Sequence, residues 1–421
     1  PHDGGNPPMA KLEFRKMIWN SRDDILVGLD VGTQNTKIVV AEVRDDGVIN
    51  LIGTSKVDTL GIHKGEVHHH EDVVESIHRA VLEAEKKVDG LEINRVEVSL
   101  TGRNIGSFNN AGSIPIVSDD KEITHADVED VISNAKVASL PQGHSAIHTI
   151  RQRFKVDDRD GVLDPVGLLG SRLEVGVHII HGMNTSLQNS IRCVLAGEIE
   201  VGHTVFSGLA SALANLAPQH KQQGAVLLDI GAGTTEFVVY AKGTIRCTGV
   251  VPIGGNNVAN DLGVALKVPF YRAEKLKVEH VNLTPDAVRP VDTVVLKTGE
   301  FGLQEKSFAL ADIQTVARAR FEELFRLVLA RVEEQKLADY IGSGVFITGG
   351  VSRTLGLSHL AESIFEMPVT TPSARGVDGA QDPQLQPEFS AAIGLVKYAY
   401  QTQSEFSGKR RRGLLGRIFG K

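Results

Sequence analysis

Residues 26–40 read LVGLDVGTQNTKIVV. The apolar run 25–29 has the length of a buried strand, and Asp30 falls at its end. Gly32, Thr33, Gln34, Asn35 and Thr36 make a short polar turn, and 38–41 is apolar again. The spacing predicts a β-hairpin. The same pattern returns at 226–240 as VLLDIGAGTTEFVVY. Asp229 stands in the place of Asp30, Gly231 of Gly32 and Thr235 of Thr36. A turn of this kind taken singly does no more than close a hairpin. Two copies predict two similar half-molecules facing each other.

The chemistry that needs these residue types is polyphosphate binding. Glycine lets backbone N–H groups come close to phosphate oxygens, and threonine hydroxyls add donors. An aspartate at each strand end is a ligand for Mg²⁺, directly or through water, because that ion takes oxygen ligands and keeps several waters.

A third element narrows the reading. Residues 344–353, GVFITGGVSR, are a buried strand running into Gly349, Gly350 and then Ser352. This resembles the adenosine-binding turn of the superfamily of actin, the heat-shock chaperones and sugar kinases, in which the two hairpins hold the phosphates. PIGGNNVANDL (252–262) looks like its Gly-Gly turn opening a helix below the nucleotide. AEKLK (273–277) looks like the Glu-x-x-Lys helix that holds ribose and adenine. The resemblance implies an α/β, two-lobed, actin-like fold, a duplicated ribonuclease H-like architecture, with ATP and Mg²⁺ as cofactors. Carried over by motif, Asp30 and Asp229 hold the metal. Gly32, Thr33, Gln34, Asn35, Thr36, Gly231, Ala232, Gly233, Thr234 and Thr235 line the phosphates. Gly254, Gly255, Asn256, Glu274, Lys277, Gly349, Gly350 and Ser352 frame the nucleoside. Lys37 either reaches a phosphate or faces solvent, and Glu274 with Lys277 also reads as an ordinary charged helix face.

The chain has 421 residues, long enough for two or more domains. With 41% hydrophobic and 23% charged residues it has a globular composition, and a net charge of −7 gives no reason to expect nucleic acid as a partner. Cys193 and Cys247 sit in apolar, strand-like surroundings without Cys-x-x-Cys spacing, which reads as a reduced cytoplasmic protein. No apolar run approaches the roughly 20 residues of a membrane-spanning helix. The first residues, PHDGGNPPMA, lack a signal-peptide core.

Helical periodicity is expected over 71–88, with Val73, Val74, Ile77, Val81, Leu82 and Val88 on one side, and over 311–336, with Ile313, Val316, Ala317, Phe321, Leu324, Phe325 and Val328. His68, His69 and His70 have His63 nearby but no carboxylate pair at ligand spacing, so a solvated loop is the reading over a metal site. Between 104 and 175 the pattern leaves the nucleotide core. A short strand is expected at 113–117, a helix opened by Thr124 with Asp127 three residues on, and strands at 148–156 and 172–175. VHIIHG then returns to the core, followed by helices at 186–196 and 206–216. A closing helix is expected over 388–400.

Three features resemble the bacterial cell-division family FtsA: the block ending DPVGLLGSRLEVGVHII, the loop 60–67, and a basic C-terminus after a loose linker. The resemblance covers about 24–400 plus the tail. It implies a flexible segment over 1–22, subdomain 1A over 23–103 and 176–223, an inserted subdomain 1C over 104–175, subdomain 2A over 224–260 and 337–400, and subdomain 2B over 261–336. A linker over 401–408 and a membrane-targeting amphipathic helix over 409–421 follow. It further implies an ATP-binding, self-polymerising protein that tethers the FtsZ ring to the cytoplasmic face of the inner membrane at the division site, with other division proteins as partners. The FtsZ C-terminal peptide is expected on 2B near Arg320 and Glu323, although each also reads as part of a salt-bridged face. In the tail, Leu414, Leu415, Ile418 and Phe419 share one side of a helix, with Arg417 among the basic residues, which suits anionic lipid. A nucleic-acid-binding or merely solubilising tail needs no such stripe.

A pilus-assembly protein of the PilM type and a small-molecule kinase of the same fold are the alternatives. One departure bears on catalysis. Some relatives place a glutamate at the start of the connecting helix to position the attacking water, where this chain has Ser207 and Gly208. A serine is no carboxylate base at neutral pH, so weak or slow ATP hydrolysis at most is expected.

Overall fold

A computed structural model describes residues 24–406, apart from 90, 286, 288, 290, 297–304, 381, 383, 384 and 386. The predicted tail and the N-terminal segment lie outside the described residues.

The first lobe opens with the predicted hairpin, β1 (Ile25–Val31) and β2 (Asn35–Val43), followed by β3 (Ile49–Asp58). A small hairpin, β4 (Ile62–His63) and β5 (Glu66–Val67), precedes helix α1 (His70–Lys87) and strand β6 (Arg95–Leu100). An inserted unit follows: β7 (Gly106–Pro115), α2 (His125–Lys136), β8 (His144–Val156), β9 (Arg159–Val162) and β10 (Arg172–Met183). The chain then makes α3 (Asn184–Leu195), β11 (Glu200–Phe206), α4 (Ser207–Asn215) and α5 (Pro218–Gln223).

The second lobe begins with β12 (Ala225–Ile230), β13 (Thr235–Ala241) and β14 (Thr244–Val251), then α6 (Gly255–Leu266) and α7 (Phe270–His280). After β15 (Thr293–Leu296) and β16 (Lys306–Ala309) come α8 (Leu310–Glu334), β17 (Val345–Thr348), α9 (Leu357–Phe365), β18 (Val369–Thr370) and α10 (Ser390–Phe406).

The two main sheets run β3-β2-β1-β6-β11 and β14-β13-β12-β17-β18. In each, the first three strands are antiparallel and the last two join in parallel. The duplicated hairpin is thus the visible part of a duplicated sheet. α4 and α10 lie between the sheets, and every residue of α4 is buried. Contact there is close: a Cβ on Gly394 would stand 1.8 Å from the Ala210 carbonyl oxygen, and one on Gly28 would stand 2.4 Å from that of Ala392.

Several boundaries differ from expectation. The strand expected over 172–175 continues to Met183, so VHIIHG is a strand of the inserted sheet and not of the first lobe's sheet, although its Ile180 does pack with Leu100, Val205 and Phe206 in the core. This strand pairs with β7 and β8 inside the inserted antiparallel sheet, order β7-β10-β8-β9. The strand expected at 113–117 is the ten-residue β7, whose Gly- and Asn-rich first half is held by β10. Residues 401–406, expected as linker, continue α10; they contain no Gly or Pro to stop it. Thr124 does cap α2 in a capping box with Asp127. The apolar stripe of α8 is buried core, with Ile313, Phe321, Phe325 and Val328 nearly inaccessible.

Candidate functional site

The two hairpin turns have the same internal hydrogen bond. Gly32 N–H donates to Asn35 O at 3.1 Å, and Gly231 N–H to Thr234 O at 2.9 Å. They meet tip to tip: a Cβ on Gly233 would stand 2.5 Å from Thr33 Oγ1. The Gly-Gly turn that opens α6 closes over the second tip, with Gly255 N–H donating to Gly231 O at 3.0 Å and Asn256 N–H to Ala232 O at 2.8 Å. Gly349, at φ +84°, comes against the same strand end; a Cβ there would stand 2.4 Å from Asp229 Oδ1. Only glycine fits that backbone at that distance. Asp30, Gly32, Thr33, Gly231, Ala232, Gly233, Gly254, Gly255, Asn256 and Gly349 are therefore gathered at one place.

The floor of the cleft is acidic and buried. Asp30 accepts from Ser99 Oγ at 2.7 Å and pairs with Lys37 Nζ at 3.0 Å. Asp229 accepts from Ser211 Oγ. Burial, with the Asp30 charge nearby, pushes the Asp229 carboxyl above its usual range despite the Ser211 bond and Lys37. Lys37 is held above the ordinary lysine value: burial alone would lower it, and Asp30, with Asp229 and Glu388, outweighs that. The solvent-facing alternative for Lys37 is thus wrong, since its ammonium turns inward onto Asp30.

A third carboxyl joins them. Glu236 lies directly across β12 and β13 from Asp229 and is buried. It accepts from Thr234 Oγ1 at 2.8 Å and from Thr101 Oγ1, which belongs to the first lobe. Burial, then the Asp229 charge, raises its pKa well above the glutamate range. Asp30 and Asp229 set two carboxylates against the single Lys37 ammonium, which leaves negative charge for a further cation to balance. Two aspartates do not complete an Mg²⁺ shell, but that ion takes the rest from water and phosphate oxygens, so the residues present fit a magnesium polyphosphate. Among the described residues, no group of three or more His, Cys, Asp or Glu side chains is placed to hold a metal by itself, the histidine-rich loop included.

Most of the chain is similar to known proteins. Residues 102–181 match the family described as the SHS2 domain inserted in FtsA, and residues 226–394 match the cell division protein FtsA. The FtsA of Pseudomonas aeruginosa is 35% identical over 399 residues, covering 94% of this chain and 92% of that protein. The chain belongs to the FtsA family. The FtsA of Escherichia coli K12 is 31% identical, covering 92% of this chain and 93% of the relative. Among solved structures, the PilM–PilN type IV pilus biogenesis complex has a TM-score of 0.60 at 16% identity, covering 89% of this chain and 98% of that one. MreB5 of Spiroplasma citri bound to ADP has 0.55 at 13%, covering 91% and 98%. These two show a shared actin-like fold, and the PilM alternative rests on fold alone.

Other residues expected at the site behave differently in this FtsA-family chain. Thr36 and Thr235 are fully buried. Their hydroxyls are spent on Thr59 Oγ1 at 2.7 Å and on Ile253 O at 2.8 Å, so they pin the hairpins to the residues just past β3 and β14 and do not face a phosphate. Asn35 Nδ2 donates to Asp58 at 3.2 Å, and Gln34 is exposed. Lys277 Nζ pairs with Glu274 at 2.6 Å and donates to Gly255 O at 3.3 Å, which ties that helix to the cleft. Ser352 Oγ donates to Gly349 O at 2.7 Å and fixes the turn, while Gly350 stays exposed. Arg320 is away from the cleft, bound to Asp261 on α6 at 2.6 Å and to Glu323 at 2.5 Å. Leu414, Leu415, Arg417, Ile418 and Phe419 lie outside the described residues.

Glu236, Thr101, Ser99 and Ser211 are the functional candidates the sequence reading missed. Glu236 carried a signal, a lone carboxylate within the buried run TTEFVVY. The others carried none. Glu236 also stands beside the helix start where a carboxylate seemed absent: a Cβ on Gly208 would lie 3.0 Å from its Cβ.

Proposed function

We propose that this chain binds ATP with Mg²⁺ between its lobes, assembles into actin-like filaments, and tethers the FtsZ ring to the cytoplasmic face of the inner membrane at the division site, where it helps recruit other division proteins. One observation carries the nucleotide reading: two matched turns meet at their tips over Asp30 and Asp229, with the Gly349 turn against the same strand end. When bound, Mg²⁺ neutralises charge between these carboxylates and the phosphates. Asp30 and Asp229 orient it, Lys37 holds Asp30 in place, and the glycine turns offer backbone donors. Glu236 accepts from Thr234 and, across the cleft, from Thr101, and so links the lobes.

Tight binding with slow turnover follows. Equilibrium ATP binding in the presence of Mg²⁺ tests it. Asp229→Asn lowers affinity by about tenfold or more, near 1.4 kcal/mol. The purified protein turns over ATP below about one per second, against roughly ten for a median enzyme. Unchanged affinity in Asp229→Asn, or faster turnover, refutes the reading. Protofilaments seen by electron microscopy on a lipid monolayer with ATP support the assembly role.

The FtsZ C-terminal peptide docks on the unit 261–336 near Arg320 and Glu323. Because Arg320 is also committed to Asp261, Arg320→Glu alone mixes two effects. The double exchange Asp261→Arg with Arg320→Glu restores the internal pair. Peptide affinity stays low in the double variant, with ATP affinity unchanged, if Arg320 touches the peptide; recovery to the wild-type value places the peptide elsewhere.

A further inference from the structure

The hairpin β4–β5 is too small to be a stable unit, yet its tip, Lys64-Gly65, touches both phosphate turns. Gly65 N–H donates to Thr33 Oγ1 at 3.1 Å. A Cβ on Gly233 of the opposite lobe would stand 3.0 Å from Lys64 Cα. Lys64 and Gly65 both hold positive φ, +47° and +74°, which turns the tip sharply into this gap. The other side of the tip presses on the residues that lead into the inserted sheet: a Cβ on Gly65 would lie 2.9 Å from Thr101 Cγ2 and 3.1 Å from Gly102 N. Glu66 then clamps that connection. Its Oε1 accepts from Asn104 Nδ2 at 2.6 Å and its Oε2 pairs with Arg103 Nε at 3.2 Å. Two residues on, β7 begins. The outer end of the hairpin is fixed separately, by His68 and His69 N–H groups on Gly61 O and by Leu60 N–H on Ser76 Oγ of α1.

The inserted sheet has a second seat on the other lobe. Ser107 Oγ donates to Thr248 O at 2.7 Å and Asn109 Nδ2 to Arg246 O at 2.8 Å, both on β14. The start of β7 thus has one attachment in each lobe, to Glu66 through Arg103 and Asn104 in the first and to β14 in the second.

We propose that residues 60–67 are a relay, by which a phosphate entering between Thr33 and Gly233 repositions the inserted sheet 106–183 through Glu66. The inference rests on the nucleotide reading of the cleft. The phosphate parts two tips that now touch, Thr33 carries Gly65 with it, and the Glu66 clamp passes the shift to Arg103, Asn104 and β7. Glu66 is a positioning residue; its carboxylate reaches toward the insertion and not the cleft. Two discrete arrangements biased by one ligand are what such coupling requires.

The test is amide hydrogen exchange of the full chain with and without Mg–ATP, alongside equilibrium ATP binding. In the wild type, ATP changes exchange both at 60–67 and at 106–115. In Glu66→Ala the response at 60–65 persists, ATP affinity stays within about threefold of wild type, and the response at 106–115 is lost. Asn104→Ala, which removes one hydrogen bond and keeps the Arg103 pair, gives the same loss in weaker form and stands in if Glu66→Ala does not fold. A response at 106–115 that survives in the variants overturns the relay, as does a wild type that binds ATP with no change there. A wild type that binds no ATP at all overturns the cleft reading itself, and the relay with it.

Discussion

Buried histidines show how far single side chains in this chain are committed to one protonation state. His148 Nε2 accepts from the Phe206 N–H at 3.0 Å, so that nitrogen carries no proton. His178 bonds Asn109 Oδ1 at 2.9 Å through Nδ1 and Thr248 Oγ1 at 2.9 Å through Nε2. Asn109 Oδ1 can only accept, which makes Nδ1 the protonated nitrogen. Burial lowers the pKa of His148 to about 4; burial, then Arg246 and His148, lowers that of His178 to about 3. The unfolded chain takes up protons near pH 6.5 and the folded one does not, so the unfolded state binds more protons between about 6.5 and 4. Stability is therefore complete above pH 6.5 and falls as pH drops through that window. Each histidine accounts for about 2 kcal/mol between pH 7 and pH 5. Urea unfolding at the two values should show that loss, and His148→Gln should shrink the pH difference even though it lowers stability at pH 7. A pH-independent midpoint would contradict the neutral assignment.

Elements were legible where one periodicity was uninterrupted. The helix read at 71–88 is His70–Lys87 and that at 311–336 is Leu310–Glu334, because apolar residues at helical spacing need a core whatever the topology. The paired hairpins and the Gly349 turn were legible because phosphate chemistry demands unusual residues at fixed places. Much of the rest depended on pairing partners far away in the chain. Nothing local in GSFNNAGSIP marks a ten-residue strand; β10 makes it one. Polar QTQSEF looked like linker, but polar residues continue a helix freely when no breaker intervenes. The acid cluster was half legible: Asp30 and Asp229 end strands, whereas Ser99 and Ser211 are ordinary serines until the lobes meet. Gly394 belongs to the hidden class too. Mid-helix glycine costs roughly 1 kcal/mol relative to alanine, yet here it lets α10 cross α4 with backbones almost touching. Gly394→Ala must push the Ala210 backbone aside, and should lower stability by about 3 kcal/mol in urea unfolding, against the gain that helix propensity predicts. A neutral or stabilising result would show that the two helices can separate without loss.

At the scale of the whole molecule, two like sheets enclose one cleft, and a short basic tail is the proposed link to lipid. Among the described residues no helix is long and apolar enough to cross a membrane. Residues 409–421, KRRRGLLGRIFGK, carry six basic and no acidic side chains. Placed on a helix, Leu414, Leu415, Ile418 and Phe419 fall on one side, the pattern of a segment lying in the headgroup plane. A large apolar side chain contributes up to roughly 1.5–3 kcal/mol when fully buried, and each basic residue near an anionic leaflet about 1 kcal/mol. Ordering three glycines and burying the stripe only partly offset much of this. One tail then binds weakly, and a filament carrying many binds firmly through effective concentration. On this proposal polymerisation would strengthen membrane attachment through effective concentration alone. Co-sedimentation with anionic vesicles tests this. Phe419→Glu and deletion from Lys409 onward should both leave the protein in the supernatant, and raising salt should weaken wild-type binding. Binding should also rise more steeply than linearly with protein concentration when ATP is present. Equal pelleting of the truncated and full chains would show that the anchor lies elsewhere.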